Sequence, residues 1–112
     1  MIPNNFITSA NELPGYRIVR NVGIVRGIIV RSRSIVGTIG AGLQSLFGGN
    51  ITLWTELCEQ TRRDAFALMA QHGMDAGGNA VVGMRYDATE IAQGVAEVLC
   101  YGTAVVVEVD RV

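Results

Sequence analysis

Val95-Ala96-Glu97-Val98-Leu99-Cys100-Tyr101-Gly102-Thr103-Ala104-Val105-Val106-Val107-Glu108-Val109 is the stretch on which the fold turns. From Val98 to Val107 it carries no charge, and both alternating sets of side chains are apolar. Leu99, Tyr101, Val105 and Val107 form one set; Val98, Cys100, Ala104 and Val106 form the other. A strand with one face against a helix and the other in water alternates apolar with polar. This one expects cover on both faces.

Working backwards, Ala80 to Ala88 reads as a partner strand with Ala80, Val82, Met84 and Tyr86 on one face, and Thr89 to Gly94 as a loop of hairpin length. Thr52 to His72 reads as a helix. Trp54, Leu57, Cys58, Thr61, Ala65, Leu68, Met69 and His72 form its apolar stripe, and Glu59, Arg63, Ala67 and Ala70 its far side. Phe66 falls outside the stripe, and Gly73 is the expected C-cap. Arg17 to Arg31 alternates valine and isoleucine with polar residues and reads as a long strand, with Gly23 or Gly27 marking a bulge. Ser34 to Phe47 shifts to helical spacing, although Gly37, Gly40 and Gly42 weaken it. Residues 1–15 read as an extended arm, with a short strand around Phe6 to Thr8 and a turn at Pro14-Gly15. The expected architecture is one α+β domain over residues 1–112. One long and one short helix leave part of the sheet uncovered, so a second copy of the chain is the expected cover.

Composition narrows the function. Apolar residues make up 49% of the 112 positions and charged residues 17%, against about 25% in typical domains. A net charge of −1 gives no electrostatic footprint for nucleic acid. All nine basic residues are arginine, which excludes Schiff-base chemistry and a P-loop lysine. Two cysteines do not make a disulfide framework. With no basic-then-apolar leader, a cytoplasmic location with reduced thiols is expected. Ser34 to Thr55 lacks charge, but its glycines and polar residues argue against a membrane span.

The candidate soft-metal donors are Cys58, Cys100 and His72. Cys58 and His72 stand fourteen residues apart, about 21 Å along a helix at about 1.5 Å per residue. A divalent or soft metal ion would therefore need ligands from several subunits. Asp87, Glu90 and Glu97 around the hairpin loop offer an oxygen alternative. A Cys–His catalytic pair fails within one chain on the same distance, and no G-x-S-x-G is present. Gly40-Ala41-Gly42 is a weak phosphate-loop lead without a βαβ unit around it. Arg17, Arg20, Arg26, Arg31 and Arg33 form a basic cluster, expected to pair with Glu97, Glu108 and Asp110 across the sheet.

Four separated segments carry a resemblance: Val25-Arg26-Gly27 through Arg33, Gly42 to Gly49, Gly78-Asn79-Ala80-Val81-Val82-Gly83, and Val98 to Val105. Over Tyr16 to Val109 the chain resembles the YbjQ-like family of small prokaryotic proteins. The resemblance implies a strand, helix and two-strand unit like a dodecin subunit, assembled as a ring, usually a pentamer. It also implies a heavy-metal-binding label, with no catalytic residue set to carry over. The expected function is a non-enzymatic homo-oligomeric binding module. A scaffold ring for another partner, or an enzyme with a site between subunits, are the alternatives.

Overall fold

The structure, a computed structural model, describes residues 2–32, 51–92 and 95–110, with backbone alone for residues 32 and 51–54. The expected helix at Ser34 to Phe47, the Gly40-Ala41-Gly42 lead, Arg33, the Trp54 side chain and most of the uncharged Ser34 to Thr55 stretch lie outside the described residues. Strand β1 spans Tyr16–Ser32, helix α1 Ile51–Asp75, β2 Ala80–Ala92 and β3 Val95–Val109. The sheet is antiparallel in the order β1-β3-β2, which places the doubly apolar β3 at its centre. The α+β strand, helix and two-strand unit is thus present.

Helix α1 lies over one face of the sheet. Ala65 and Met69 are fully buried there against Val25, Val81, Cys100 and Ala104. Gly27 makes this approach possible: a Cβ at that position would sit on the Ala65 carbonyl and the Met69 amide. Gly27 is therefore a packing glycine. The β1–β3 register shifts fall between Ile18 and Arg20 and between Asn21 and Gly23. The buried side of α1 is also turned relative to the expected stripe. Ala70 is buried, Phe66 packs against the core, and Cys58 and His72 are exposed.

The helix runs on to Asp75, past the expected cap at Gly73. Gly77, with φ +100°, takes the left-handed position. Gly78 N–H donates to the Gly73 carbonyl at 2.9 Å and Gly77 N–H to the Met74 carbonyl at 2.9 Å. These two bonds are a Schellman cap. Gly73 is instead buried inside the helix, where a Cβ would meet Ile2 and Val81.

Two strand readings change as well. A register shift between Val82 and Arg85 breaks the alternation of β2. Ala80 and Val82 stay on the face away from α1, whereas Met84 packs with the helix-side core. Strand β2 also runs to Ala92, through most of the segment read as a loop.

The N-terminal arm is folded rather than merely extended. Asn4–Phe6 is a short 3-10 helix, and only Ile7 makes a bridge, parallel to Val81. The Pro14-Gly15 turn is closed by Tyr16 N–H donating to the Leu13 carbonyl at 3.1 Å. Leu13 then packs on Ala80, Val82, Val105 and Val107, on the sheet face that α1 does not cover. Part of the second face is thus covered by the chain itself.

Candidate functional site

The three candidate metal donors are not brought together. Among the described residues no group of three His, Cys, Asp or Glu side chains could hold a metal ion. Cys100 is fully buried on the helix face of β3, its thiol 3.7 Å from the Met69 sulfur. Burial pushes that thiol up to about 11, so it stays protonated and unreactive. Cys58 is a free, exposed thiol. It lines a cavity of about 260 Å³ with Leu57, Thr61, Arg62, Ala88 and Val98, where the small Ala88 and Ala96 leave space beneath α1.

His72 is exposed near the end of α1, and its Nδ1 lies 2.6 Å from the Arg26 carbonyl oxygen. A carbonyl only accepts, so Nδ1 carries the proton. In the neutral ring the Nε2 lone pair is then left for a ligand, the orientation that second-shell carbonyls impose on metal-binding histidines. His72 also borders a cleft of about 620 Å³ with Ile24, Ile28 and Leu68.

The carboxylates Asp87, Glu90 and Glu97 sit on strands, not around a loop. Asp87 pairs with Leu99 and Thr89 with Glu97, whereas Glu90 pairs with Ala96 and so belongs to the opposite face. The trio does not converge.

Of the basic cluster, Arg17 pairs across the sheet with Glu108 at 3.2 Å, as the alternation implied. Both side chains are well exposed, so the pair adds little stability. Arg31 turns to Asp64 on α1 at 3.1 Å. Gln60 Nε2 holds the other Asp64 oxygen at 2.9 Å. The Gln60–Asp64 spacing of one helical turn was the only sequence signal for that arrangement. Arg62 stacks 5.6 Å above the Tyr86 ring. The Tyr86 hydroxyl is pushed up chiefly by burial, then by Cys100 and Glu59, with Arg62 opposing.

The distinctive residue of the Gly78 to Gly83 segment is Asn79. Its side chain donates to the Val107 carbonyl at 3.0 Å and accepts from the Val107 amide at 2.8 Å. It stands in for a strand residue beyond the start of β2. This geometry accounts for an asparagine between Gly78 and Ala80 in backbone terms, with no chemistry required. The family model described as "Putative heavy-metal-binding" matches residues 5–108.

The chain belongs to the YbjQ family.

A UPF0145 protein of Solibacter usitatus is 68% identical over 105 residues, covering 94% of each chain. Another UPF0145 protein, of Burkholderia thailandensis, is 65% identical, covering 94% of this chain and 95% of its own. The crystal structure of a DUF74 protein of unknown function from Pediococcus pentosaceus superposes with a TM-score of 0.57 at 17% identity. That match covers 92% of this chain and 97% of the other, and it bears on the fold alone.

Proposed function

We propose that this YbjQ-family chain is a non-enzymatic, self-associating binding module that holds a soft or divalent metal ion between copies. The observation that carries the reading is the uncovered end of the second sheet face. Leu13 covers Val105 and Val107, but beyond them Ile24 is 77% exposed, Ile28 42% and Val30 49%. Isoleucine and valine at this exposure on neighbouring rows, alongside Tyr101, form a patch that a second copy would bury. A metal ion would then be shared, with exposed Cys58 and the Nε2 of His72 as donors from different subunits.

Native mass spectrometry of protein purified without chelator tests both parts. A multi-subunit mass, five by family resemblance, with metal in whole-number stoichiometry is the expected result. A monomer overturns self-association. An oligomer without metal, unchanged by added zinc or copper, overturns the metal role. Retention of metal by Cys58→Ser and His72→Ala variants moves the site to other ligands.

A further inference from the structure

Where α1 closes on the sheet, Gly27 makes room for it: a Cβ there would strike the Ala65 carbonyl. Towards the start of the helix the fit is looser. Cys100 and Val98 face α1, and alternation along β3 puts Ala96 on that face too. Ala88 pairs with Val98 and shares the face. Alanine between a helix and a sheet is ordinarily buried. Ala88 and Ala96 are both exposed. The space they leave is the cavity of about 260 Å³ that Leu57, Cys58 and Thr61 border from α1.

Its walls are apolar. Leu57, Val98 and the two alanine methyls supply them. Thr61 donates its hydroxyl proton to the Leu57 carbonyl at 3.0 Å, so it offers no proton to a ligand. The charged groups lie at the opening, and among the described lining residues they are both arginines. Arg62 is exposed and Arg31 half-buried. Arg31 is fixed in place: its Nη2 donates to Asp64 at 3.1 Å, and Gln60 Nε2 holds the other oxygen of that carboxylate at 2.9 Å. A guanidinium has several N–H donors, so others remain. Arg62 lies over the Tyr86 ring, 5.6 Å from its centroid. A cation–π contact consumes no N–H donor, and the planar fork matches a carboxylate with two parallel bonds.

Apolar walls behind a cationic opening suit an amphiphile with one anionic head and one apolar tail. Pockets for drug-sized ligands run to about 300–1,000 Å³, so this one takes a smaller molecule. We propose that the cavity beneath the first half of α1 binds a medium-chain carboxylic acid, its alkyl chain against Leu57, Val98, Ala88 and Ala96 and its carboxylate on Arg62 and Arg31. This goes beyond the metal reading and needs neither a metal nor a second copy. Cys58 takes no chemical part. Its thiol lines the same space and reports whether that space is filled.

Calorimetric titration of the full chain with octanoate at low ionic strength tests the site. Octanoate should bind with a dissociation constant of about 1 mM or tighter. Hexanoate should bind about tenfold more weakly or worse, because each buried methylene is worth about fourfold. Replacing octanoate by 1-octanol, or the wild-type chain by Arg62→Gln, should each weaken binding about tenfold, the worth of a charge-assisted hydrogen bond. Ala88→Leu fills the cavity and should abolish binding, with thermal unfolding showing the fold kept. Cys58 reads the same point in the wild-type chain without any substitution. After chelator treatment, octanoate at about ten times its dissociation constant should slow the reaction of Cys58 with a thiol reagent about tenfold. Absence of octanoate binding overturns the proposal. Equal binding of octanol, with Arg62→Gln without effect, overturns the carboxylate contact. An unprotected Cys58, or a folded Ala88→Leu variant that binds as before, puts octanoate elsewhere and overturns the cavity assignment. None of these readouts depends on subunit mass or bound metal, so the metal-sharing reading stands or falls separately.

Discussion

Asn79 binds both backbone groups of Val107 through one side chain. Removing it leaves a partly buried donor and acceptor unpaired at the sheet end. Asn79→Ala should therefore cost about 2–3 kcal/mol in urea unfolding, from about 1–1.5 kcal/mol per lost bond. Asn79→Asp keeps the acceptor and loses the donor, so its cost should fall between. The thiols divide by environment. Exposed Cys58 should react with a thiol reagent at pH 8 in the native protein, and buried Cys100 only on unfolding. The Cys100 thiol is raised by burial to about 11 from an ordinary value of 9.0. The folded state thus holds its proton more tightly than the unfolded chain. Its contribution to stability is complete below about pH 9 and is lost as pH rises towards 11. Unfolding midpoints measured across that range should fall, and Cys100→Ala should flatten the fall.

At the scale of elements, two glycines separate two physical roles. Gly77 supplies a left-handed backbone at the Schellman cap, and Gly77→Ala should cost about 1 kcal/mol. Gly27 supplies absence of bulk where α1 crosses β1. Gly27→Ala should cost more, about 3 kcal/mol or above, because a helix backbone rather than a flexible side chain must retreat. Thermal unfolding of the pair checks the order. Gly27 was legible as punctuation in the sequence, but its role was not. Gly27 fits a bulge as well as a crossing until the helix is laid over it. Gly73 fits a cap until the hydrogen bonds are seen to reach Gly77 and Gly78. Likewise, the period of β2 breaks at Val82, which no alternation rule anticipates, so Met84 lands opposite to its expected face.

At the scale of the molecule, the arm covers part of the face that α1 leaves open, and the proposed second copy would cover the rest. Leu13, with Phe6 and Tyr16, covers Ala80, Val82, Val105 and Val107, all under 8% exposed. Deleting residues 1–12 should leave a chain that folds less stably and binds a hydrophobic dye near these valines. Leu13→Asp in the full chain should reproduce the dye binding. If neither variant binds dye, the arm is not the cover. The other end of the face, around Ile24 and Ile28, has no such internal lid among the described residues.

The sequence by itself determined the element types and their order, because apolar period, proline and glycine signals are local. It also determined that β3 needs cover on both faces, since both of its alternating sets are apolar, whereas its place at the centre of the sheet came from the structure. The family followed from the same segments. Tertiary structure alone decided what covers the second face, because an arm and another subunit supply the same apolar contact. It alone decided that Arg31 meets Asp64 and that His72 meets Arg26, since those partners lie far apart in the chain and one is a carbonyl common to every residue. It alone separated Cys100 from Cys58. Cys100 lies on the face of β3 that α1 covers, whereas Cys58 lies on α1 and is turned towards solvent, so the seating of the helix on the sheet makes one core and the other surface.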